Sequence, residues 1–149
     1  MTDERIRSAT HDISADAATV FELIADPARQ PDWDGNDNLA ELVGGGRIHG
    51  VGETFSMRLT NDAVRDNQVV EFDEGRLIAW LPSEPGKPSP GHLWRWEIEP
   101  IDDTHVRVTH TYDWTELTDP GRMERARTTT AERLRASIDN LAKLAEQSH

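Results

Sequence analysis

Apolar positions recur along the chain at two different periods, and the change from one to the other divides it. "RIRSATHDISA" (5–15) alternates, which predicts a first strand with Ala9, His11 and Ile13 on one face. "DAATVFELIADP" (16–27) then carries Val20, Leu23 and Ile24 at helical spacing, capped by Asp16 or Ser14 and ended by Pro27. "ARQPDWDG" (28–35) adds a second short helical stretch, closed by Gly35.

From residue 38 the period shortens to two and turn signals recur. A strand over 38–43 runs into the "GGG" at 44–46, and "ETFSMRLTND" places Phe55, Met57 and Leu59 on one face. "NQVVEFDEGRLIAW" (67–80) reads as a hairpin about Glu74-Gly75. A two-residue turn there sends Trp80 outward, whereas a three-residue turn with a glycine bulge brings it inward. "PSEPGKPSPG" (82–91) is too rich in proline and glycine for regular structure. "HLWRWEIEP" aligns Trp94, Trp96 and Ile98, and "VRVTHTYDW" (106–114) aligns Val106, Val108, His110, Tyr112 and Trp114.

After Pro120 the spacing turns helical. Met123, Ala126, Thr130, Leu134, Ile138, Leu141 and Ala145 fall three or four apart, predicting one amphipathic helix of about seven turns. A long helix and a curved antiparallel sheet pack most economically with the sheet wrapped around the helix and the short helices closing one end. Such a sheet does not collapse fully onto one helix, which leaves room for a cavity. The expected class is therefore α+β.

Composition narrows the partners. At 149 residues the chain suits one domain, spanning 1–149, since domains most often hold roughly 100–150 residues. The formal net charge of −12 and the lack of a basic stripe argue against a nucleic acid. There is no cysteine, so no disulfide or thiolate metal site is available, and the histidines show no ligand spacing. No cofactor or metal is expected. The charged N-terminus has no signal-peptide core and no segment is apolar enough for a membrane span, so a cytoplasmic location is expected.

The series "ISADAATVFELIADPARQPDWDG", "GVGETFSM", "VVEFDEGRLIAW", "WRWEIEP" and "RVTHTYDW" resembles, in order and over essentially the whole chain, the START-like, birch-pollen-allergen-like helix-grip superfamily (SRPBCC). The V-[FW]-x-x-[IL]-x-D-P signature is met by Val20 to Pro27, with Trp33 shortly after. The polyketide cyclase/dehydrase and lipid-transport branch is most similar. The resemblance implies a curved antiparallel sheet of about seven strands gripping a long C-terminal helix, with a deep apolar cavity beneath it. It fixes function weakly, because the superfamily includes lipid carriers, aromatase/cyclases, hormone receptors and co-chaperones.

The residue types suggest where a ligand would lie. His110, Tyr112 and Trp114 share a face: they form the polar end of the cavity and orient a ligand, or His110 and Tyr112 act as an acid–base pair in enolisation or cyclisation, or they are buried core groups satisfied by backbone or water. Trp94 and Trp96 beside them make an aromatic wall or simply fill the core. Ala126 and Thr130 precede the bulkier Leu134, Ile138 and Leu141, which places the free space near the helix start. Phe55 and Met57 complete the predicted lining together with Trp33, which either lines the cavity end or anchors the short-helix corner, and an inward His11 would be a histidine partner for His110. "GGGRIHGVG" lacks the lysine and helix of a phosphate loop and reads as a loop at the pocket mouth. The expected function is binding of a small hydrophobic molecule of lipid, polyketide or aromatic type. The alternatives are a cyclase, aromatase or dehydratase, and a co-chaperone-like interaction module.

Overall fold

The computed structural model describes residues 5–147. Its seven strands begin where the alternation does: β1 (Ile6–Ile13), β2 (Leu39–Gly44), β3 (Thr54–Leu59), β4 (Val64–Asp73), β5 (Leu77–Ser83), β6 (Leu93–Asp102) and β7 (His105–Asp113). They pair antiparallel in one sheet of order β1-β7-β6-β5-β4-β3-β2, so the last strand lies between the first and the rest of the meander. Between β1 and β2 lie α1 (Ala17–Ala25), a 3-10 turn (Pro27–Arg29) and α2 (Gln30–Trp33). Asp16 is the cap of α1, accepting the Thr19 amide at 2.9 Å. The sheet curves around the C-terminal helical segment, which is the helix-grip arrangement.

The hairpin joining β4 and β5 decides the face of Trp80. Asp73 pairs with Leu77, leaving Glu74, Gly75 and Arg76 in a three-residue turn in which Gly75 has φ +82°. That left-handed backbone suits a residue without Cβ. A bulge follows between Val69 and Glu71, and Trp80 comes to stand opposite Trp94 with 6% of its surface exposed. Trp80 therefore points inward.

The single seven-turn helix is not formed. It is two helices, α3 (Pro120–Arg127) and α4 (Ala131–Gln147), separated by Thr128, Thr129 and Thr130. The Thr128 hydroxyl and amide both donate to the Arg125 carbonyl, at 2.6 and 3.1 Å, and the Thr129 amide donates to Ala126. These bonds end α3 with short-range partners. Arg7 of β1 secures the break by donating to the carbonyls of Arg127 (2.6 Å) and Thr129 (3.2 Å). Thr130 then opens α4, its hydroxyl accepting the Arg133 amide at 3.3 Å. The residue expected on the inner stripe is thus an exposed helix cap.

Two packed regions result. One joins α1, the second half of α4 and the sheet through Ile13, Ile24, Val106, Val108, Ile138 and Leu141, all fully buried. The other lies under α3 and the start of α4 and holds Tyr112, Trp114, Leu117, Ala126 and Leu134. After α2 the chain passes very close to α4. A Cβ on Gly35 would stand 2.6 Å from the Ala136 carbonyl carbon, so only glycine fits, and the Gly35 amide bonds to the Ser137 hydroxyl at 3.1 Å.

Candidate ligand-binding cavity

A cavity of about 310 Å³ lies between the concave sheet face, α2, α3 and the first half of α4. Its deeper wall is buried and includes Met57, Asn67, Trp80, Trp96 and His110, while its rim includes the exposed Asn36, Asn38, Arg125, Thr128 and Arg133. The register explains the deep wall. Residues directly opposite across antiparallel strands share a face, so Trp96 meets His110 and Trp94 meets Tyr112.

These side chains form a continuous run of rings. Trp33 meets Trp96 edge to face at 5.1 Å, and Trp96 stacks on His110 at 3.7 Å with 13° between planes. Trp94 lies 5.5 Å from His110 and 4.3 Å from Tyr112, and Tyr112 lies 6.0 Å from His92. All six rings line the cavity. Trp33 is fixed by its indole N–H, which donates to the Leu23 carbonyl at 2.8 Å. Among the described residues, no hydrogen-bond partner reaches the buried Nε1 of Trp96 or Nδ1 of His92.

The titratable members are held neutral. His110 Nδ1 lies 3.1 Å from the Arg95 carbonyl, so that nitrogen carries the proton and Nε2 is left as an acceptor. Burial lowers the His110 pKa to about 3, with the Arg95 hydrogen bond opposing only in part. Burial likewise raises the Tyr112 phenol to about 12, against a smaller opposing effect of the Arg125 charge. His92 is lowered to about 4 by burial first and then by the positive charges of Arg122, Arg65 and Arg125. Near neutral pH the wall thus offers an uncharged acceptor and an uncharged donor.

The predicted lining is largely brought together: Trp33, Met57, Trp94, Trp96, His110, Tyr112 and Ala126 all face the cavity. Three predicted residues do not line it. Phe55 is buried edge to face against Trp80 at 5.4 Å. Trp114 lies in the packed region under α3, flanked by the guanidinium groups of Arg5 and Arg127 at 5.2 and 5.7 Å. Thr130 caps α4, and its neighbours Thr128 and Thr129 reach the cavity instead. His11 stands opposite Val108, while Ala9 faces His110, and its Nδ1 lies 3.0 Å from Arg135. No histidine pair forms there. Among the described residues, no group of three or more His, Asp or Glu is arranged to hold a metal ion.

The family model described as "Polyketide cyclase / dehydrase and lipid transport" matches residues 7–146. The chain belongs to this family. It is 31% identical over 116 residues to the uncharacterized protein Rv0088 of Mycobacterium tuberculosis, an alignment covering 72% of this chain and 46% of that protein. The chain thus spans about half the length of the curated relatives it matches. A START superfamily protein from Mycobacterium smegmatis superposes with a TM-score of 0.69 at 16% identity, covering 97% of this chain and 99% of that one. The Aha1 dimer from Colwellia psychrerythraea gives 0.62 at 18% identity, covering 92% and 96%. At these identities the structural likeness establishes the helix-grip fold and nothing further. Among the described residues, no helix is long and apolar enough to cross a membrane.

In this member of the family, the lining is more polar than the deep apolar cavity expected. Gln30, Asn67 and His92 face it, as do Arg65, Arg122, Arg125 and Arg133. Several carried a readable signal. His92 has the parity of Trp94 and Trp96, and Arg65 and Asn67 have that of Val69. A charged residue on inward parity is easily assigned to solvent, because arginines are mostly exposed.

Proposed function

We propose that the chain binds a small, flat, ring-bearing hydrophobic molecule against the wall of Trp33, Trp96, His110, Trp94 and Tyr112. The continuity of that wall is the observation that carries the reading. Aromatic faces in edge or offset contact favour another planar ring, while a few fixed polar groups set its orientation. His110 Nε2 and the Tyr112 hydroxyl supply an acceptor and a donor to a ligand hydroxyl or carbonyl.

Binding is favoured over catalysis by the protonation states. Efficient general acid–base catalysis needs groups titrating near the working pH. Here the imidazole is shifted to about 3 and the phenol to about 12, both away from neutrality. A cyclase, aromatase or dehydratase using this pair would work against both shifts.

The test is a thermal-shift panel of fatty acids, sterols and polyphenols, followed by tryptophan fluorescence titration. A ligand that binds only the folded chain adds about 2.7 kcal/mol at a hundredfold excess over Kd. Planar polyphenols should raise the unfolding midpoint and change the emission of the wall tryptophans. If no member of the panel does either, the carrier reading is wrong.

A further inference from the structure

The charges around the cavity run against those of the whole chain. The sequence has 28 acidic against 16 basic residues. Yet the lining includes Arg65, Arg122, Arg125 and Arg133, with Asp34 as its only carboxylate among the described residues. Asp34 is already engaged, accepting the backbone amides of Asn36, Asn38 and Leu39 at 3.1, 2.7 and 2.8 Å. The Asp34 charge is therefore largely committed to its own loop.

Three of the arginines gather at one end of the aromatic wall. Arg65, from β4, and Arg122 and Arg125, from α3, all act electrostatically on His92, the last ring of the run. Arg122 is partly compensated, with Glu84 at 3.1 Å and Asp119 at 3.6 Å, and Glu84 is shared with Lys87. Arg65 donates to its neighbour Val64's carbonyl at 3.0 Å and feels Glu84 only at longer range, after Lys87 and Arg122. Among the described residues, no carboxylate lies within ion-pair distance of Arg65 or Arg125. Gathering like charges beside a partly buried imidazole costs free energy that an anion placed there would recover. The same end holds the buried, unpartnered Nδ1 of His92.

We infer that the ligand is an amphipathic anion. Its aromatic body lies along the wall, and a carboxylate or phosphate head sits at the His92 end among Arg65, Arg122 and Arg125. The inference rests on the cavity-binding reading above and adds the charge and direction of the ligand. Guanidinium groups suit both heads, because their paired N–H donors match two oxygens of either.

Calorimetric titration with naphthoic acid, its methyl ester, naphthyl phosphate and inorganic phosphate tests this, at low and high ionic strength. At low salt the acid or the naphthyl phosphate should bind at least about tenfold tighter than the ester. Added salt should reduce that preference, because rim charges are screened. Arg125→Gln, at an exposed position, and Arg65→Gln should each bring the anion's affinity several-fold toward that of the ester. Unfolding midpoints of the variants report whether they fold. The relative affinity of acid and phosphate identifies the head.

An ester that binds as tightly as both anions would overturn the inference and leave the aromatic cavity standing. Inorganic phosphate binding as tightly as naphthyl phosphate would overturn it by uncoupling the arginines from the wall. Failure of every naphthyl compound to bind would overturn the cavity reading and the inference with it.

Discussion

Val106 and Val108 occupy the same face of β7 as His110 and Tyr112, yet the two halves of the strand meet different interiors. The first half is fully buried against the solid region that contains Ile13, Ile98, Ile138 and Leu141. The second half faces the cavity, and its partners are rings and arginines. The difference originates in what lies above the strand. The second half of α4 presents large aliphatic side chains that fill the space, whereas α3 buries only Ala126. One continuous sheet thus serves as a core wall at one end and a binding surface at the other.

The contrast is broken most severely by opening the solid end. Ile138→Ala should cost about 2–5 kcal/mol in urea unfolding, because it leaves a cavity among side chains that cannot follow. The ligand wall lies elsewhere, so affinity per folded molecule should change little. A loss below 1 kcal/mol would mean that this end is not solidly packed.

A smaller effect is expected from acid, and it separates the ends by chemistry. His92 and His110 both belong to the open end, and both have folded pKa values, about 4 and about 3, below the ordinary 6.5. Arg65, Arg122, Arg125 and Tyr112 face His92, while Trp94, Trp96 and the Arg95 carbonyl face His110. Between the folded and unfolded values the unfolded chain binds more protons, so stability falls as pH falls below about 6.5. Each histidine contributes a slope of up to about 1.4 kcal/mol per pH unit, ending near its folded pKa. His92→Gln should therefore make the acid limb shallower between pH 6.5 and about 4. Parallel limbs in chemical denaturation at several pH values would refute this.

The smallest effect concerns the junction between the helices. Thr130→Ala removes the hydroxyl that accepts the Arg133 amide. It should lower stability by about 1 kcal/mol, as loss of a helix cap does, without changing ligand affinity. An affinity loss at unchanged stability would return Thr130 to the binding surface.

Much of this arrangement was legible because strand alternation survives folding. The parity of Trp94, Trp96, His110 and Tyr112 was enough to place four rings on one wall. Trp80 was undecided because its face depends on whether the preceding turn holds two or three residues, which local sequence does not settle. Thr130 was misplaced because helical spacing continues through the three threonines, while their hydroxyls and Arg7, distant in sequence, end one helix and begin another. Arg122 and Arg125 were missed because α3 offers few apolar positions from which to read an inner face, and Arg65 because a charged residue on inward parity is readily assigned to solvent.

That short helix also has an energetic consequence. Only Ala126 of its eight residues is buried, so little apolar area ties α3 to the sheet. Hydrogen bonds that depend on so few buried contacts open at far lower free energy than those of the core. The amides of α3 should thus exchange with solvent well before those of α4 or β7. The molecule holds its shape with one set of residues and exposes its interior with another.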